Sequence, residues 1–559
     1  MASDRLTFVD NLQITLKLLL KDSQYQVPGG NVVALEVDLN SWGFSGELVF
    51  IVMAYPQNDD LLTNFQQSSV LKINLSIVTG NAGSQQAQTT PITLSGVVTA
   101  RSIEETAGNQ HAMARVASNP VLYRRYYISF VDPAFFYWGQ HYPQKLFTQT
   151  DYKTVLSQQQ PSDLDVSYDW DILDQQQGQI LVNTPMFTDR RESPSFYDFL
   201  IWFVDQNNGY FLYDYAVGGY KVLGALPRDG QAANCQTSAM EWFRIRLPTI
   251  EYAQLAVTNL VASNPKTEQT SNTNGVTPLA RSFSTITDTP QAFSNFNVLQ
   301  KSRYSDSPLM LQWAYRLMPL QLMTPGALVQ FDTTQGNLSQ QSIMANKTWR
   351  LTHVSLKARA HDSAYALNHY GASNAGYSID FLIDACDSSS QVSRLPDYDA
   401  PVYPLLVQGQ VFSDQGQSSD LSYAFQQDEN TSQKYYQIQI PAWNNIKVSV
   451  PYQPVNLNGQ FYFPPYKNEQ VLLSLWLNSA AISQYLDWRS NTPLTMESQG
   501  NQIILGLSES SQTVIKHSYT NNVPQLDINR QLQSDTETIS VGEGFILLHT
   551  KENSENSQA

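Results

Sequence analysis

Short runs in which apolar and polar residues alternate dominate this chain. The clearest are Leu48 to Val52, Val70 to Val78, Tyr435 to Ile440 and Val471 to Trp476. A period of two sends successive side chains to opposite faces, so each run predicts a half-buried strand and the whole predicts a mainly β fold. Met1 to Leu20 alternates in the same way. A helical period is convincing at one place, where Phe196, Phe199, Leu200, Phe203 and Val204 recur every three or four residues. Ser193-Pro194 is a start signal for that helix and Asn207-Asn208-Gly209 a stop signal, with Gly209 expected at positive φ. Tyr210 to Tyr215 is expected to return as a strand, and a second, shorter helix is expected over Tyr152 to Ser157. Polar stretches at Gly80 to Thr90, Ser157 to Pro161, Asn264 to Asn274 and Ser413 to Ser432 are expected loops or linkers.

The C-terminal region differs. Apolar residues fall in short strands about every ten residues, at Leu494-Met496, Ile503-Leu505-Leu507, Val514-Ile515, Leu526-Ile528, Ile539-Val541 and Ile546-Leu548, separated by Gly, Asn, Ser and Asp. One copy of such a ribbon has no second layer against which to bury its apolar face. Two arrangements satisfy it: three copies wound into an intertwined β-prism, or a meander packed on its own domain. The tail after Lys551 is polar and expected to be disordered.

Composition narrows the function classes. The 559 residues imply about three to five domains. Charged residues are only 15%, replaced by Gln, Asn, Ser and Thr, and the formal charge of −16 repels phosphate backbones and anionic lipid headgroups alike. Nucleic-acid and membrane-surface binding are therefore not expected. The longest apolar runs, Leu48 to Tyr55 and Phe199 to Val204, fall far short of the roughly 20 residues of a membrane-spanning helix. The N-terminus lacks the continuous apolar core of a signal peptide, so synthesis in the cytoplasm is expected. The two cysteines, Cys235 and Cys386, have no metal-ligand spacing and read as reduced thiols.

Candidate chemistry is sparse. No nucleophile elbow, phosphate-binding glycine loop or zinc motif occurs. His111, His141, His353, His361, His369, His517 and His549 never fall two or four residues apart. Asp163, Asp165, Asp169 and Asp171 fit a calcium loop, a glycosidase carboxylate pair or an exposed acidic loop; the glycine of a calcium loop is missing. Tyr123, Tyr126 and Tyr127, with Phe135-Phe136-Tyr137-Trp138, fit a sugar platform or barrel and interface packing. No catalytic, cofactor-binding or metal-binding residue is assigned.

Several short segments, taken in order, resemble one family. Pro91 to Val98 (PITLSGVV) is similar to the strand of its first hub barrel, and Tyr126 to Phe135 with Gln144 to Phe147 and Tyr152 to Leu156 to the segment that follows. Ser195 to Leu200 with Asn208 to Tyr215 resembles its helix and return strand, although Trp202-Phe203 stands where an Arg-Leu pair is usual and Asp205-Gln206 near the usual acidic residues. Val407 to Val411, Tyr436 to Ile440, Gly459 to Pro465 and Glu469 to Leu473 resemble a small neck barrel, with Lys467-Asn468 in place of Gly-Asp. Gly500 to Leu505 resembles the start of its spike.

The family is that of the VgrG proteins of type VI secretion and the hub-spike proteins of myophage tails, in a distant branch with a short spike. The resemblance implies a mainly β architecture: tandem hub barrels with a small α/β insertion, an OB-type barrel and a C-terminal intertwined trimeric β-prism. It places a first hub barrel at 1–135, the α/β insertion at 136–245, a second hub barrel at 246–400, the neck at 401–490, the prism at 491–550 and a tail at 551–559. It implies a non-enzymatic homotrimer that joins a hexameric tail tube (Hcp-like) to a membrane-piercing tip, without cofactor. The implied partners are a PAAR-type tip protein and baseplate proteins; the implied location is an injection particle assembled in a bacterial cytoplasm and delivered outside or into a target cell. Other readings are a secreted carbohydrate-binding or adhesive β-protein and, third, a polysaccharide-active enzyme.

Overall fold

The computed structural model describes residues 9–21, 23–55, 58–80, 90–105, 122–184, 193–227, 230–235, 237, 240–260, 266–270, 272–285, 290–304, 307–331, 343–345, 347–361, 369–391, 394–413, 426–427, 434–451, 467–487, 501–508 and 510–552. Leu494-Met496, Gly459 to Pro465, His111 and much of the polar stretches at 80–90 and 413–432 lie outside these residues. The chain divides into two compact units. One holds residues 1–143, 156–175 and 184–401; the other holds 144–155, 176–183 and 402–559. The region 136–245 thus contributes to both.

In the first unit, alternation does what it predicts. Strand β1 (Asp10–Leu19) buries every second residue, including Leu12, Ile14, Leu16 and Leu18. It is followed by β2 (Val32–Asn40), β3 (Gly43–Tyr55), β4 (Lys72–Thr79), β5 (Ile92–Glu105) and β6 (Leu122–Val131), and much later by β7 (Trp349–Ala360) and β8 (Asn374–Asp387). All pairings are antiparallel, in the order β1-β4-β5-β6-β3-β2-β7-β8, and β8 pairs back to β1 through Asp10↔Tyr377 and its neighbours. The ring is therefore a closed eight-stranded barrel, a size at which side chains fill the interior. Leu48, Phe50, Leu75, Leu94, Tyr126 and Leu356 supply that filling, each at most 0% exposed.

Strands β7 and β8 are longer than the barrel requires. Beyond it, β8 pairs with Met310–Tyr315, which pairs with Met240–Arg246, and β7 pairs with Leu328–Phe331, which pairs with Ala233–Cys235. One hairpin thus serves two sets of strands. The second set has its own core, with Trp313 and Trp349 fully buried and the Trp313 ring edge-on to Phe331 at 5.4 Å. At the crossing, β7 carries a bulge between Leu351 and His353. The His353 ring lies 3.4 Å from Asp38 of β2 and 3.4 Å from Asp384 of β8, and Gln312 donates to Asp384 at 2.8 Å.

Helix α1 (Pro133–Trp138) is capped by Asp132, whose carboxylate accepts from the Phe135 amide at 3.1 Å and the Tyr220 hydroxyl at 2.6 Å. Burial pushes the Asp132 carboxyl up to about 6. Helix α2 (Phe196–Gln206) opens on a capping box between Ser195 and Asp198 and buries Phe196, Phe199, Leu200, Phe203 and Val204, the residues its period singled out. One expectation fails at its end: Asn208, with φ of 53°, takes the left-handed conformation and Gly209 does not. Asn tolerates that region through its short polar side chain. Gly209 answers a different need, since a Cβ there would meet the Trp170 ring at 2.4 Å. The return hairpin, Tyr210–Asp214 with Gly219–Leu223, leads to Tyr215, whose hydroxyl reaches the carbonyls of Asn40 (2.8 Å) and Gly43 (2.7 Å) at the β2–β3 turn.

The second unit has a core of Val411, Tyr436, Ile438, Val448, Val471 and Leu473 from strands Leu405–Phe412, Lys434–Ile440, Ile446–Pro451 and Gln470–Leu475. The hairpin Gln144–Asp151 with Gln176–Asn183 adds Leu146 and Leu181 to this core, and the Leu181 amide donates to the Leu477 carbonyl at 2.6 Å. Among the described residues, no helix is long and apolar enough to cross a membrane.

The two carboxylates, with Asp38 the first cause, hold the His353 imidazolium up to about 9. A raised folded value means the contribution is complete below the free imidazole's pKa of about 6.5 and is lost as pH rises through about 9. The melting temperature of the wild type should fall across that window, and the fall should shrink in His353→Asn, as read by a thermal melt at each pH.

Candidate functional site: an uncovered apolar sheet face

The second unit ends in a five-stranded antiparallel meander: β9 (Asn501–Ser508), β10 (Ser511–Thr520), β11 (Val523–Leu532), β12 (Asp535–Gly542) and β13 (Phe545–Lys551). Its connections are built for tight hairpins. Asn521 and Asn522 take φ of 53° and 64° between β10 and β11, the twist-compatible geometry of a two-residue turn, and Gly544 takes 76° before β13.

Register aligns the apolar residues. Ile503 stands opposite Ile515, Ile515 opposite Ile528, Ile528 opposite Ile539, and Ile539 opposite Leu548, one unbroken rib across all five strands. A second rib on the same face runs through His517, Leu526, Val541 and Ile546. The opposite face is mixed: one rib runs through Gln502, Lys516, Asp527, Ser540 and Leu547, and another through Ile504, Val514, Asn529, Thr538 and His549. There Asp527 accepts from Gln525 at 2.7 Å and from Ser540, itself buried, at 2.5 Å.

Among the described residues nothing covers the apolar face. Ile503 is 48% exposed, Ile539 and Val541 are each 40% exposed, and Leu548 is 71% exposed. Contiguous apolar surface of this kind marks an interaction site rather than a solvated face. Toward the turn end of the same face, Nη1 of Arg530 donates to both carboxylate oxygens of Glu537 at 2.6 Å.

The residues that sequence chemistry singled out are occupied elsewhere. Asp163 is exposed and pairs with Lys72 (3.0 Å) and the Tyr137 hydroxyl (2.8 Å), and the Lys72 hydrogen bond holds its carboxyl below the usual range. Asp165 lies before the short strand Val166–Asp169, which Asp169 ends, and Asp171 opens a 3-10 turn. Tyr126 is buried in the barrel, stacked on Phe50 at 5.1 Å and donating to Asp59 at 2.6 Å; Tyr123 meets Tyr370 edge-on, and Tyr127 donates to Glu104. Trp138 is fully buried, and Phe135 packs edge-on to Tyr197. His141 bonds Gln159 at 3.0 Å and His517 meets Tyr519 edge-on. Cys235 and Cys386 are free and buried, and burial pushes the Cys235 thiol up to about 12. Among the described residues no group of three His, Cys, Asp or Glu could hold a metal ion.

No family model and no curated protein matches the sequence. Solved structures do. A chain of the PdpA-VgrG complex in its lidless form superposes with a TM-score of 0.69 at 13% identity, over 98% of this chain and 99% of that one. The fold is VgrG-like. Two further structures of the Francisella PdpA-VgrG complex, half-lidded and lidded, each give a TM-score of 0.70 at 13% identity. They cover 97% and 98% of this chain, and 88% and 81% of theirs. The VgrG-like resemblance read from short segments thus holds at the level of fold, across nearly the whole chain.

If the rib is covered in the working molecule, its truncation behaves as a core truncation. Ile539→Ala should then cost about 2 to 4 kcal/mol, against well under about 1 kcal/mol for a side chain left in water. Guanidinium unfolding at one fixed protein concentration distinguishes the two.

Proposed function

We propose that this protein is a homotrimeric hub and spike of a contractile injection machine, joining a hexameric tail tube to a piercing tip. The uncovered apolar rib from Ile503 to Leu548 carries the reading, because three such faces turned toward one axis bury one another. The fold shared with chains of a VgrG-containing complex supports it.

On this reading, the closed barrel and the strand set branching from β7 and β8 form the hub. Two barrel-like regions per chain, taken three times, make a ring of six that can seat a sixfold Hcp-like tube. The limits expected at 135, 245, 400 and 490 then separate first barrel, insertion, second barrel, OB-type neck and prism in functional terms. The prism would carry a PAAR-type tip protein, and baseplate proteins would hold the hub. The membrane is met only by piercing, in keeping with the charge of −16. Assembly in a bacterial cytoplasm and delivery outside it complete the reading. Work of this kind is mechanical: unravelling one strand of the prism breaks contacts with the neighbouring chains as well as its own.

Light scattering should return three times the chain mass of 62.9 kDa at micromolar concentration. A stable monomer would remove the basis of the spike. A truncation lacking 494–559 should retain binding to the tail-tube protein but lose resistance to heat and SDS; a truncation that keeps both would put trimer stability in the hub. The isolated chain should show no turnover of glycans, peptides, nucleotides or lipids. A turnover abolished by replacing Asp163, Asp165, Asp169 or Asp171 with Asn would restore the enzyme reading.

A further inference from the structure

We infer that the cavity beneath the hairpin Tyr210–Asp214 with Gly219–Leu223 is a binding site for an amphipathic carboxylate, an apolar chain that ends in a single anionic head. Every wall of the cavity belongs to the first unit, so the site does not depend on the number of copies in the assembly.

Strand alternation prepares one wall. The strand Leu328–Phe331 pairs with β7 so that Val329 stands opposite Trp349 and Leu328 opposite Arg350. Val329 and Trp349 are fully buried in the core of the second strand set, so Leu328 and Arg350 face the other way and line the cavity. The hairpin is fastened over this face at its two ends. At one end the Tyr215 hydroxyl reaches the β2–β3 turn. At the other, the Gln391 carbonyl accepts from the Tyr210 hydroxyl, and the Gln391 side chain accepts from the Leu226 amide at 3.1 Å. About 400 Å³ is left between the layers, walled by Leu212, Leu226, Leu322, Leu328 and Leu351. Ala216, Pro227 and Gly326, all exposed, lie along its rim.

Protein interiors are close-packed, and a space of this size falls within the range of small-molecule sites. Water fills it poorly, because each ordered water needs about two to four polar partners and these walls are leucine. An apolar body suits it better. Charge sets the head of the occupant. Among the described residues the charged side chains of the lining are Asp214, Lys221 and Arg350, and Asp214 is paired with Lys221 at 2.7 Å. The lining as a whole therefore carries one net positive charge. Arg350 is only 7% exposed, and its guanidinium donates to the Pro227 carbonyl beside the rim. A single net positive charge, in a chain whose formal charge is −16, favours one negative charge in the occupant. The planar guanidinium matches a carboxylate in shape as well as in sign.

Calorimetric titration of the full-length protein with decanoate tests the site. One decanoate should bind per chain, and it should slow amide exchange at 210–226 and 324–331 while leaving β9 to β13 unchanged. Decanol, with the same apolar chain and no charge, should bind at least about tenfold more weakly, as should decanoate to Leu328→Trp, whose larger ring takes up the space. No binding of decanoate, protection confined to β9 to β13, equal binding of decanol, or undiminished binding by folded Leu328→Trp overturns the inference. Should Leu328→Trp fail to fold, the decanol comparison and the exchange map still decide between these outcomes.

Discussion

Closure of the barrel through β7 and β8 is the constraint on which the rest of the first unit depends. Six of the barrel strands lie within residues 10–131, yet they form a curved sheet whose edges at β2 and at Asp10–Gln13 of β1, beyond the stretch that pairs with Gln24–Pro28, stay open until strands from 349–387 arrive. Those strands bring together residues more than 300 positions apart, such as Lys357 and Glu36, so closure carries a loop-ordering cost that local pairing does not. The return is an absence of edges in the ring. Because the same hairpin runs on into the second strand set, the Trp313 and Trp349 core cannot be displaced without disturbing the barrel. His353, held between Asp38 and Asp384 at the crossing, ties β2, β7 and β8 at the point where one strand system becomes two.

The hairpin that follows α2 is seated on that ring by polar groups with little exposure. Tyr215 reaches the β2–β3 turn, and Tyr220 reaches Asp132 at the end of β6. A buried carboxylate with a raised pKa commonly marks catalysis. Here its partners are a helix N-terminus and a tyrosine hydroxyl, and its work is to cap α1 and fasten a hairpin.

Surface left unfinished in one chain is the functional statement of the second unit. Its upper part has a full core, with Val471 and Leu473 completely buried. Its last five strands have none among the described residues, although β10 to β13 pair without a register shift. Regular pairing with no second layer separates two requirements that globular domains meet together: backbone hydrogen bonds are satisfied within the sheet, and apolar burial is not.

Period alone determined much of this. The alternating runs became strands, α2 buried the residues its spacing named, and the ten-residue rhythm near the C-terminus became a hairpin ribbon, because strand and helix periods are local properties of a backbone. The order of short motifs also carried the VgrG-like fold. Tertiary structure alone decided which strands pair. Nothing in residues 349–387 distinguishes a hairpin of a second barrel from one that also closes the first, since strand alternation does not name a partner. Nor does the segment 144–183 reveal that Leu146 and Leu181 pack into the second unit, because an apolar residue at a strand position records that it is buried and not against what. The left-handed residue at the end of α2 went to Asn208 for a like reason: Gly209 was claimed by the Trp170 ring, a neighbour that only the folded chain supplies.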